Sequence, residues 1–400
     1  MKYGLITYKD TENIGDDIQS YVAIRFLPKV DYYLEREELD RFVPNKKEQI
    51  ITIMNGWYLH SKINFPISPY IYPLYISTHF SAYNSGGIST EYLNEYSKKE
   101  LEKYAPIGCR DTGTVKLLNE LGVDNYFSGC LTLTIQADKN IEKKNHICIV
   151  DIDEKAEKYV RDNLSEKHEI IKKTHTLDAS ENSKLSWEER FNNVKELLDT
   201  YQSASLVITS RLHCALPCLA LGTPVLLLYD ENKEYTKDRL GDYVKILTSM
   251  STAEFLDKGL SKIKKGIKNP VEYQTIRNNV ESKVKELLEN VNLETYKDSL
   301  PSIEDYKKFY VVPKENIDNL YRTAAKDIDS LKRECINLGY ARDYWKKEFD
   351  ILLKKSNLEN INNMRYELSS LLTKYESLVR ENKYLRDKLS KYEKKKNKEY

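Results

Sequence analysis

The apolar positions of this chain fall into short runs that end in polar or glycine-containing loops. In residues 1–140 the runs cover positions 5–8, 49–54, 73–77 and 105–109, and helical periodicity is found at 16–25 and 113–121. Short apolar runs that alternate with amphipathic helices are typical of a doubly wound parallel sheet, whose ligand loops gather along one edge. We therefore predict a Rossmann-like domain over residues 1–140.

The same alternation returns in residues 141–295 and predicts a second Rossmann-like domain. Its strands are expected at 146–152, 168–173, 205–209 and 224–229, and its helices at 154–164, 187–202, 236–248, 252–264 and 272–291. Two such domains facing each other leave a cleft between them. The glycine-broken apolar segment 126–134 is expected to be a strand that packs at the seam between the domains.

The last quarter of the chain has a different pattern. Residues 296–315 read as a linker, and residues 316–400 are helical in pattern and free of proline. Over 358–393 apolar residues alternate in steps of three and four, with Asn382 at one a position. This heptad predicts a parallel two-stranded coiled coil and hence a homodimer, because a buried Asn pairs with its copy across a dimer. The alternative is a long helix folded back on the body.

Composition excludes several classes of protein. The formal net charge is +1, so the chain has no overall field suited to nucleic acid. The six cysteines lack the paired spacings of a zinc site; we expect no metal and buried, reduced thiols in a cytoplasmic protein. Residues 1–8 predict a strand, not a signal peptide. The apolar stretch 206–228 carries charged residues and prolines, so strand, helix and strand explain it better than a transmembrane segment.

That stretch also holds the strongest candidate chemistry, Ser210-Arg211-Leu212-His213. A helix starting there presents backbone N–H groups that favour a phosphate or a carboxylate. Arg211 adds a planar fork suited to either anion, and His213 can deliver a proton near neutral pH. The alternative is that Arg211 pairs with a carboxylate at the sheet edge and His213 is a buried residue of the core.

Other polar groups follow the strands of the first domain. Asp16 or Asp17 can cap the first helix, or one of the two can accept a proton from a sugar hydroxyl. Arg110 follows another strand, where an ion pair with Asp111 is the alternative to ligand binding. Weaker candidates of the same kind are Asn13, Asn55, Trp57 and His79. A tryptophan beside a cleft offers a flat apolar face to a sugar ring, which places these loops on the acceptor side.

Taken together, four motifs in this order resemble the polysaccharide pyruvyl transferase family. They are Asn-x-Gly-Asp-Asp-Ile-Gln from position 13, Gly-Cys-Arg-Asp from 108, Phe-Ser-Gly-Cys-Leu-Thr-Leu-Thr from 127 and Thr-Ser-Arg-Leu-His-Cys-Ala-Leu-Pro-Cys-Leu-Ala-Leu-Gly-Thr-Pro from 209. The resemblance covers about residues 1–250 and leaves out the tail. It implies a GT-B-like pair of Rossmann domains and transfer of pyruvate from phosphoenolpyruvate to a sugar as a ketal, without a cofactor. The family's donor-binding residues map onto Arg110, Arg211, Leu212 and His213.

The residues fit this implied chemistry. Ketal formation needs one acid and one base on opposite sides of the reacting carbon. We expect His213 to be the acid and Asp16 or Asp17 the base, with His79 as the alternative base. One departure concerns the acceptor side, since a glycine-rich family segment is reduced here to Gly56. Two other functions stay open: a GT-B glycosyltransferase that uses a nucleotide sugar, and a non-catalytic coiled-coil assembly protein of polysaccharide biosynthesis.

Overall fold

The computed structural model describes residues 1–58, 67–80, 95–230, 240, 243–293, 300–311, 380 and 383–384. The chain divides into two compact units, Met1–Ile303 and Glu304–Tyr400. Within the first unit we call residues 1–140 the first half and residues 141–295 the second half. A short helix runs over Ile303–Tyr306 and so begins at the last residue of the first unit, and a π-helical turn follows over Lys307–Val311. The predicted coiled coil at 358–393 lies, apart from three residues, outside the described residues.

The described residues of the first half form eight short parallel strands with helices between them. The strands are β1 Lys2–Thr7, β2 Tyr32–Glu35, β3 Ile50–Ile53, β4 Gly56–Tyr58, β5 Ile71–Leu74, β6 Thr78–Phe80, β7 Ile107–Cys109 and β8 Asn125–Phe127. The helices are α1 Ile14–Ile24, α2 Glu95–Glu102 and α3 Thr112–Leu121, with 3₁₀ turns at Arg36–Glu38 and Leu131–Thr134.

These strands form two four-stranded sheets, in the orders β2-β1-β3-β5 and β4-β6-β7-β8. The sheets adjoin, because β4 follows β3 after two residues and β6 follows β5 after three. Backbone bonds cross the break, from Met54 N to Leu74 O at 2.9 Å and from Gly108 N to Tyr75 O at 2.9 Å. The first half is therefore one parallel layer that is interrupted in its middle.

In the second half, the part of the chain that the structure covers forms one five-stranded parallel sheet, in the order β10-β9-β11-β12-β13. Its strands are β9 His146–Val150, β10 Glu169–Lys173, β11 Leu206–Thr209, β12 Val225–Tyr229 and β13 Ser249–Ser251. Its helices are α4 Glu154–Leu164, α5 Ala179–Asn182, α6 Trp187–Ser203, α7 Leu212–Ala220, α8 Tyr243–Ile246, α9 Thr252–Lys264 and α10 Tyr273–Glu289. The predicted α/β class with parallel sheets is confirmed.

Strand order places the ligand edge in each half. In the first half β1 lies between β2 and β3, so the strand order reverses beside β1. In the second half β9 lies between β10 and β11, and the strand order reverses beside β9. In doubly wound sheets a ligand crevice opens beyond the carboxyl ends of the strands at such a switch point. The loops after β1 and β3 and the loops after β9 and β11 are therefore the positions at which to look for a site.

The apolar stretch 206–228 is a strand, a helix and a strand, as predicted. All nine residues of α7 are buried, and so are the four residues of β11. Burial on every side explains why this helix shows no polar face. Within the part of the chain that the structure covers, no helix has both the length and the hydropathy needed to cross a membrane.

Two local predictions need correction. The segment 126–134 is not one strand, because β8 ends at Phe127 and the 3₁₀ turn follows at Leu131–Thr134. Helix α1 begins at Ile14 and is capped by Asn13, whose side chain accepts from the Gly15 amide, and not by an aspartate. Both aspartates instead lie in the first turn of α1, where the partial positive charge of the helix end stabilises their negative charges.

Candidate functional site

Arg211 is the N-cap residue of α7 and lies at the switch point of the second sheet. Its Nε donates to Oδ2 of Asp151 at 2.7 Å, and its Nη2 lies 3.4 Å from Oγ1 of Thr176. The predicted alternative, a carboxylate partner at the sheet edge, is thus present. The side chain is nevertheless 41% exposed, so the guanidinium has room for an anion as well. The Arg211 amide donates to Oγ1 of Thr209 at 3.0 Å, which leaves fewer amides for a ligand than predicted.

Asp151, the first residue after β9, is held in a backbone conformation that is uncommon for residues other than glycine. Its φ is +49°, in the left-handed region. Its Oδ2 accepts from the His175 amide at 2.9 Å as well as from Arg211, and its carbonyl accepts from the exposed Ser210 hydroxyl. Burial raises the pKa of Asp151, but hydrogen bonds from Thr174, His175 and Arg211 outweigh it and lower that pKa overall. Asp151 is therefore a charged partner that holds the Arg211 guanidinium in place.

His213 lies in the first turn of α7 and packs against the first turn of α1. A Cβ at Gly15 would lie 3.1 Å from Nδ1 and 3.2 Å from Cβ of His213. His213 and Leu212 are both buried, at 6% and 8% exposure. The absence of a side chain at Gly15 lets the amino-terminal ends of the two helices meet, one from each half of the unit.

Backbone bonds lock this meeting point. The Ile14 amide donates to the His175 carbonyl at 2.9 Å, and the Leu177 amide donates to the Glu12 carbonyl at 2.8 Å. Between them, Asn13 forms an antiparallel bridge with Thr176, the residue whose hydroxyl lies near Arg211. We call these paired segments, 12–14 and 175–177, the cross-half ladder. It places Asn13 beside the site as a structural link.

Arg110 follows β7 and is almost completely buried, at 1% exposure. Its Nη1 lies 3.4 Å from Oε1 of Gln19, and its Nε lies 3.5 Å from Oδ2 of Asp111. Among the described residues no group accepts a hydrogen bond from Nη2. Burying a donor without an acceptor is costly, and a bound anion would remove that cost.

Helix α1 connects Arg110 with His213. Gly15 touches His213 and Gln19 reaches Arg110, and these two positions of α1 are one turn apart. Residues four apart lie on the same face of a helix and about 6 Å apart along its axis. One face of α1 thus contacts Arg110 of the first half and His213 of the second half, both of which are predicted donor-binding residues.

His79, at the middle of β6, forms a close pair with Asp111. Its Nδ1 lies 2.6 Å from Oδ2 of Asp111, and both side chains are at most 3% exposed. The His79 ring also lies 6.1 Å from that of Trp57, which is partly exposed. Burial raises the pKa of Asp111, but His79 and Arg110 outweigh it and lower that pKa to about 2. Asp111 is therefore ionised between two basic side chains.

The two aspartates of the first turn have different surroundings. Asp16 is partly exposed and accepts from Oγ1 of Thr11 at 2.7 Å and from Nε2 of Gln19 at 3.2 Å. Asp17 is buried, and both of its oxygens are held by Arg190, at 3.0 and 2.6 Å. Burial raises the pKa of Asp17 to about 6, against the lowering effect of Arg190. Of the two, Asp16 is the one with a carboxylate next to the Gln19–Arg110 contact.

Asn55, a predicted acceptor residue, is 3% exposed. Its Nδ2 donates to the Gln19 carbonyl at 2.8 Å, and its own carbonyl accepts from the Tyr8 hydroxyl at 3.3 Å. Its side chain thus holds α1 against the sheet. Trp57 is the more accessible of the two predicted acceptor residues after β3.

Sequence reasoning missed Asp151 and Arg190 and treated Asp111 only as a partner for Arg110. A signal for Arg190 was available, since it precedes Val194 by one helical turn on the apolar face of α6. Asp151 and His79 carry no spacing signal, because their contacts join residues from different strands. In the described part of the chain no group of three or more His, Cys, Asp or Glu side chains is arranged to hold a metal ion.

Among solved structures, similarity is weak. A functionally uncharacterised protein of Klebsiella pneumoniae subsp. pneumoniae NTUH-K2044 has 11% identity and a TM-score of 0.40, over 62% of this chain and 92% of that chain. The UDP-GlcNAc 2-epimerase of Methanocaldococcus jannaschii has 12% identity and a TM-score of 0.40, over 74% of this chain and 100% of that chain. A comparison with curated protein sequences gives no match.

A family-level comparison is more informative. The family model described as polysaccharide pyruvyl transferase matches residues 13–232, more than half of the 400-residue chain. The matched range begins at the residue that caps α1 and ends just after β12, so it includes His79, Arg110, Asp111, Arg211 and His213. This chain belongs to the polysaccharide pyruvyl transferase family.

Proposed function

We propose that this protein transfers the pyruvyl group of phosphoenolpyruvate to a sugar of a surface polysaccharide or its precursor, as a ketal, and releases phosphate. The observation that carries the proposal is Arg110, a buried guanidinium whose Nη2 has no acceptor among the described residues. It lies one turn of α1 away from the contact with His213. A small anion with several charges, such as phosphoenolpyruvate, would complete this arrangement.

The donor would be held from both halves of the unit. Arg110 supplies one guanidinium from the end of β7, and Arg211 supplies a second from the switch point of the other sheet. The amino-terminal end of α7 adds partial positive charge, and its first turn contains no acidic residue. Two cations and a helix end suit a molecule that carries a phosphate and a carboxylate.

The reaction adds two sugar oxygens to one carbon. His213 delivers a proton to the methylene carbon of the enol, which creates an oxocarbenium-like centre at the neighbouring carbon. One sugar hydroxyl attacks that centre and gives its proton to a base. The phosphate then leaves with its bonding electron pair, and a second hydroxyl of the sugar closes the ketal and gives its proton to the departing phosphate. The products are the pyruvylated sugar and inorganic phosphate, and no oxidant or reductant is needed.

Asp16 and His79 are the better candidates for the base. Asp16 is partly exposed and lies next to Gln19, which contacts Arg110. His79 lies beside Trp57, whose partly exposed ring can face a sugar. Asp17 is less suited to this role, since Arg190 occupies both of its carboxylate oxygens. We therefore propose an acceptor position over Trp57, reached by a base from α1 or from β6.

The test measures phosphate release from phosphoenolpyruvate with and without a panel of methyl hexosides and oligosaccharides. Release that depends on the saccharide supports the proposal, and we expect Arg110→Gln and Arg211→Gln to lower kcat/KM by at least about a hundredfold, or about 2.7 kcal/mol. The matched control is Arg161→Gln, because Arg161 forms a similarly exposed ion pair, with Glu157 on α4. It should behave as the wild type.

Thermal unfolding separates this function from a nucleotide-sugar glycosyltransferase without knowledge of the acceptor. A ligand at about a hundred times its Kd adds about 2.7 kcal/mol to the unfolding free energy. We expect phosphoenolpyruvate to raise the Tm of the wild type and of Arg161→Gln but not that of Arg110→Gln. Stabilisation by a nucleoside diphosphate and none by phosphoenolpyruvate would overturn the proposal in favour of the glycosyltransferase.

A further inference from the structure

We propose that Asp111 is a positioning residue, which holds the proton of His79 on Nδ1 and so makes Nε2 the atom of His79 that acts in the reaction. The role in the reaction rests on the proposed function, whereas the hydrogen-bond assignment does not. Asp111 acts through His79 and Arg110, the two basic side chains on either side of it.

The two carboxylate oxygens of Asp111 contact different groups. Oδ1 caps α3, since it accepts from the Thr114 amide at 2.9 Å and from the Thr114 hydroxyl at 2.9 Å. Oδ2 lies 2.6 Å from Nδ1 of His79 and 3.5 Å from Nε of Arg110. The cap therefore fixes the carboxylate on the helix, and the second oxygen is directed at the two basic groups.

An ionised carboxylate can only accept hydrogen bonds. At 2.6 Å from an ionised Oδ2, Nδ1 of His79 must carry the proton, because two lone pairs that close would repel each other. A neutral imidazole that keeps its proton on Nδ1 has a lone pair on Nε2, and the protonated ring has an N–H there. In both states Nε2 is the atom that can exchange a proton, which is what a base for a sugar hydroxyl requires.

The position of the His79 ring is fixed from three sides. Oγ1 of Thr114 lies 3.2 Å from Nδ1 and accepts from the Phe80 amide at 3.1 Å, so the start of α3 is tied to β6. Trp57, the residue opposite His79 in the β4–β6 pairing, lies on another side. Among the described residues, the charged groups that face the ring include Asp111 and, beyond it, Arg110.

Asp111→Asn tests this role because asparagine keeps the volume and can still cap α3. Its amide group in place of Oδ2 donates instead of accepting, so the His79 proton must move to Nε2. We expect kcat to fall by about a hundredfold or more, while KM for phosphoenolpyruvate changes less than about threefold. The matched control is Asp153→Asn, the same exchange at the exposed cap of α4. Equal kcat in Asp111→Asn and in wild type would overturn the inference.

A second measurement does not depend on turnover. Long-range ¹H–¹⁵N spectra of wild-type protein labelled on histidine report which ring nitrogen carries the proton, and His79→Gln assigns the signal among the six histidines. We expect a proton on Nδ1 of His79. A neutral ring with its proton on Nε2 would overturn the inference. If the wild type released no phosphate in any assay, the proposed function would fail. The spectra would still show whether Asp111 holds the His79 proton on Nδ1.

Discussion

Arg190 and Asp17 form a bidentate ion pair that joins the two halves of the unit across 173 residues of sequence. Both side chains are about 1% exposed. The same guanidinium donates to the Tyr8 carbonyl at 2.7 Å and to the Lys9 carbonyl at 3.2 Å, and it lies 4.3 Å from the ring centre of Trp187. One side chain of α6 thereby fixes both the end of β1 and the start of α1.

Removal of this guanidinium should destabilise the protein strongly. In Arg190→Met the Asp17 carboxylate and two carbonyl oxygens stay buried without their donor, and we expect a loss of about 3–5 kcal/mol of unfolding free energy in urea titrations. The exposed pair of Arg161 and Glu157 gives the control, since Arg161→Met should cost under about 1 kcal/mol. The double variant Asp17→Leu/Arg190→Met should regain part of the loss. Equal stability of Arg190→Met and Arg161→Met would contradict this account.

Gly15→Ala should reduce activity more than stability. The new Cβ would lie 3.0 Å from the Asn13 oxygen and 3.1 Å from Nδ1 of His213, so His213 must shift by a few tenths of an ångström. Because alanine favours a helix by about 1 kcal/mol over glycine, the change in Tm should be small. We expect kcat/KM to fall about tenfold or more, since small displacements of reacting groups are costly. Wild-type kcat/KM in this variant would show that the contact does not position His213.

The Arg211 partner Asp151 offers a test of backbone conformation. Asparagine tolerates the left-handed region better than alanine does, and it can still accept from the His175 amide. We expect Asp151→Ala to be less stable than Asp151→Asn by about 1–2 kcal/mol in urea unfolding. Both variants lose the charge that faces Arg211, so that loss cancels in the comparison. Indistinguishable unfolding curves would show that the left-handed backbone conformation at position 151 costs no unfolding free energy.

Glu35 should make stability depend on pH near neutrality. It ends β2, its Oε2 accepts from the Lys9 amide at 2.6 Å, and burial raises its pKa to about 7 from an ordinary value of 4.5. Between these values the folded chain keeps a proton that the unfolded chain releases. The stabilisation is therefore fully present below pH 4.5 and lost as pH rises through 7.

For Glu35→Gln we expect the loss of unfolding free energy between pH 5 and pH 8 to be smaller than in wild type by roughly 2 kcal/mol. Glu38→Gln, at an exposed glutamate of the same segment, serves as the control and should follow the wild-type profile. Profiles of Glu35→Gln and wild type that run parallel over this range would refute the prediction.

The parts of the site that lie at strand ends were predictable from sequence. Arg110 follows β7 and Arg211 follows β11, as the apolar runs before them indicate. A run that ends in a charged residue marks the sheet edge, because a charge inside a parallel sheet has no partner there. The order of parallel strands then brings those edges together, which is why short motifs far apart in sequence belong to one site.

The pairings between these residues were not predictable. Asp17 could equally have been a cap or a base, and only the approach of α6 shows that its carboxylate belongs to Arg190. Likewise, Asp111 stands next to Arg110 in sequence, yet its short contact is with His79, 32 residues earlier. Such choices depend on side-chain distances of a few tenths of an ångström, which hydrophobic periodicity does not encode.

The cross-half ladder has a consequence for how this protein unfolds. Glu12 and Ile14 exchange backbone bonds with residues 175–177, so neither half can open without breaking hydrogen bonds of the other. Amide protons of Ile14 and Leu177 should therefore exchange with solvent at one common rate, set by opening of the whole unit Met1–Ile303. Two Rossmann-like halves would then melt as a single cooperative body, and neither would be expected to survive alone when the chain is cut between them.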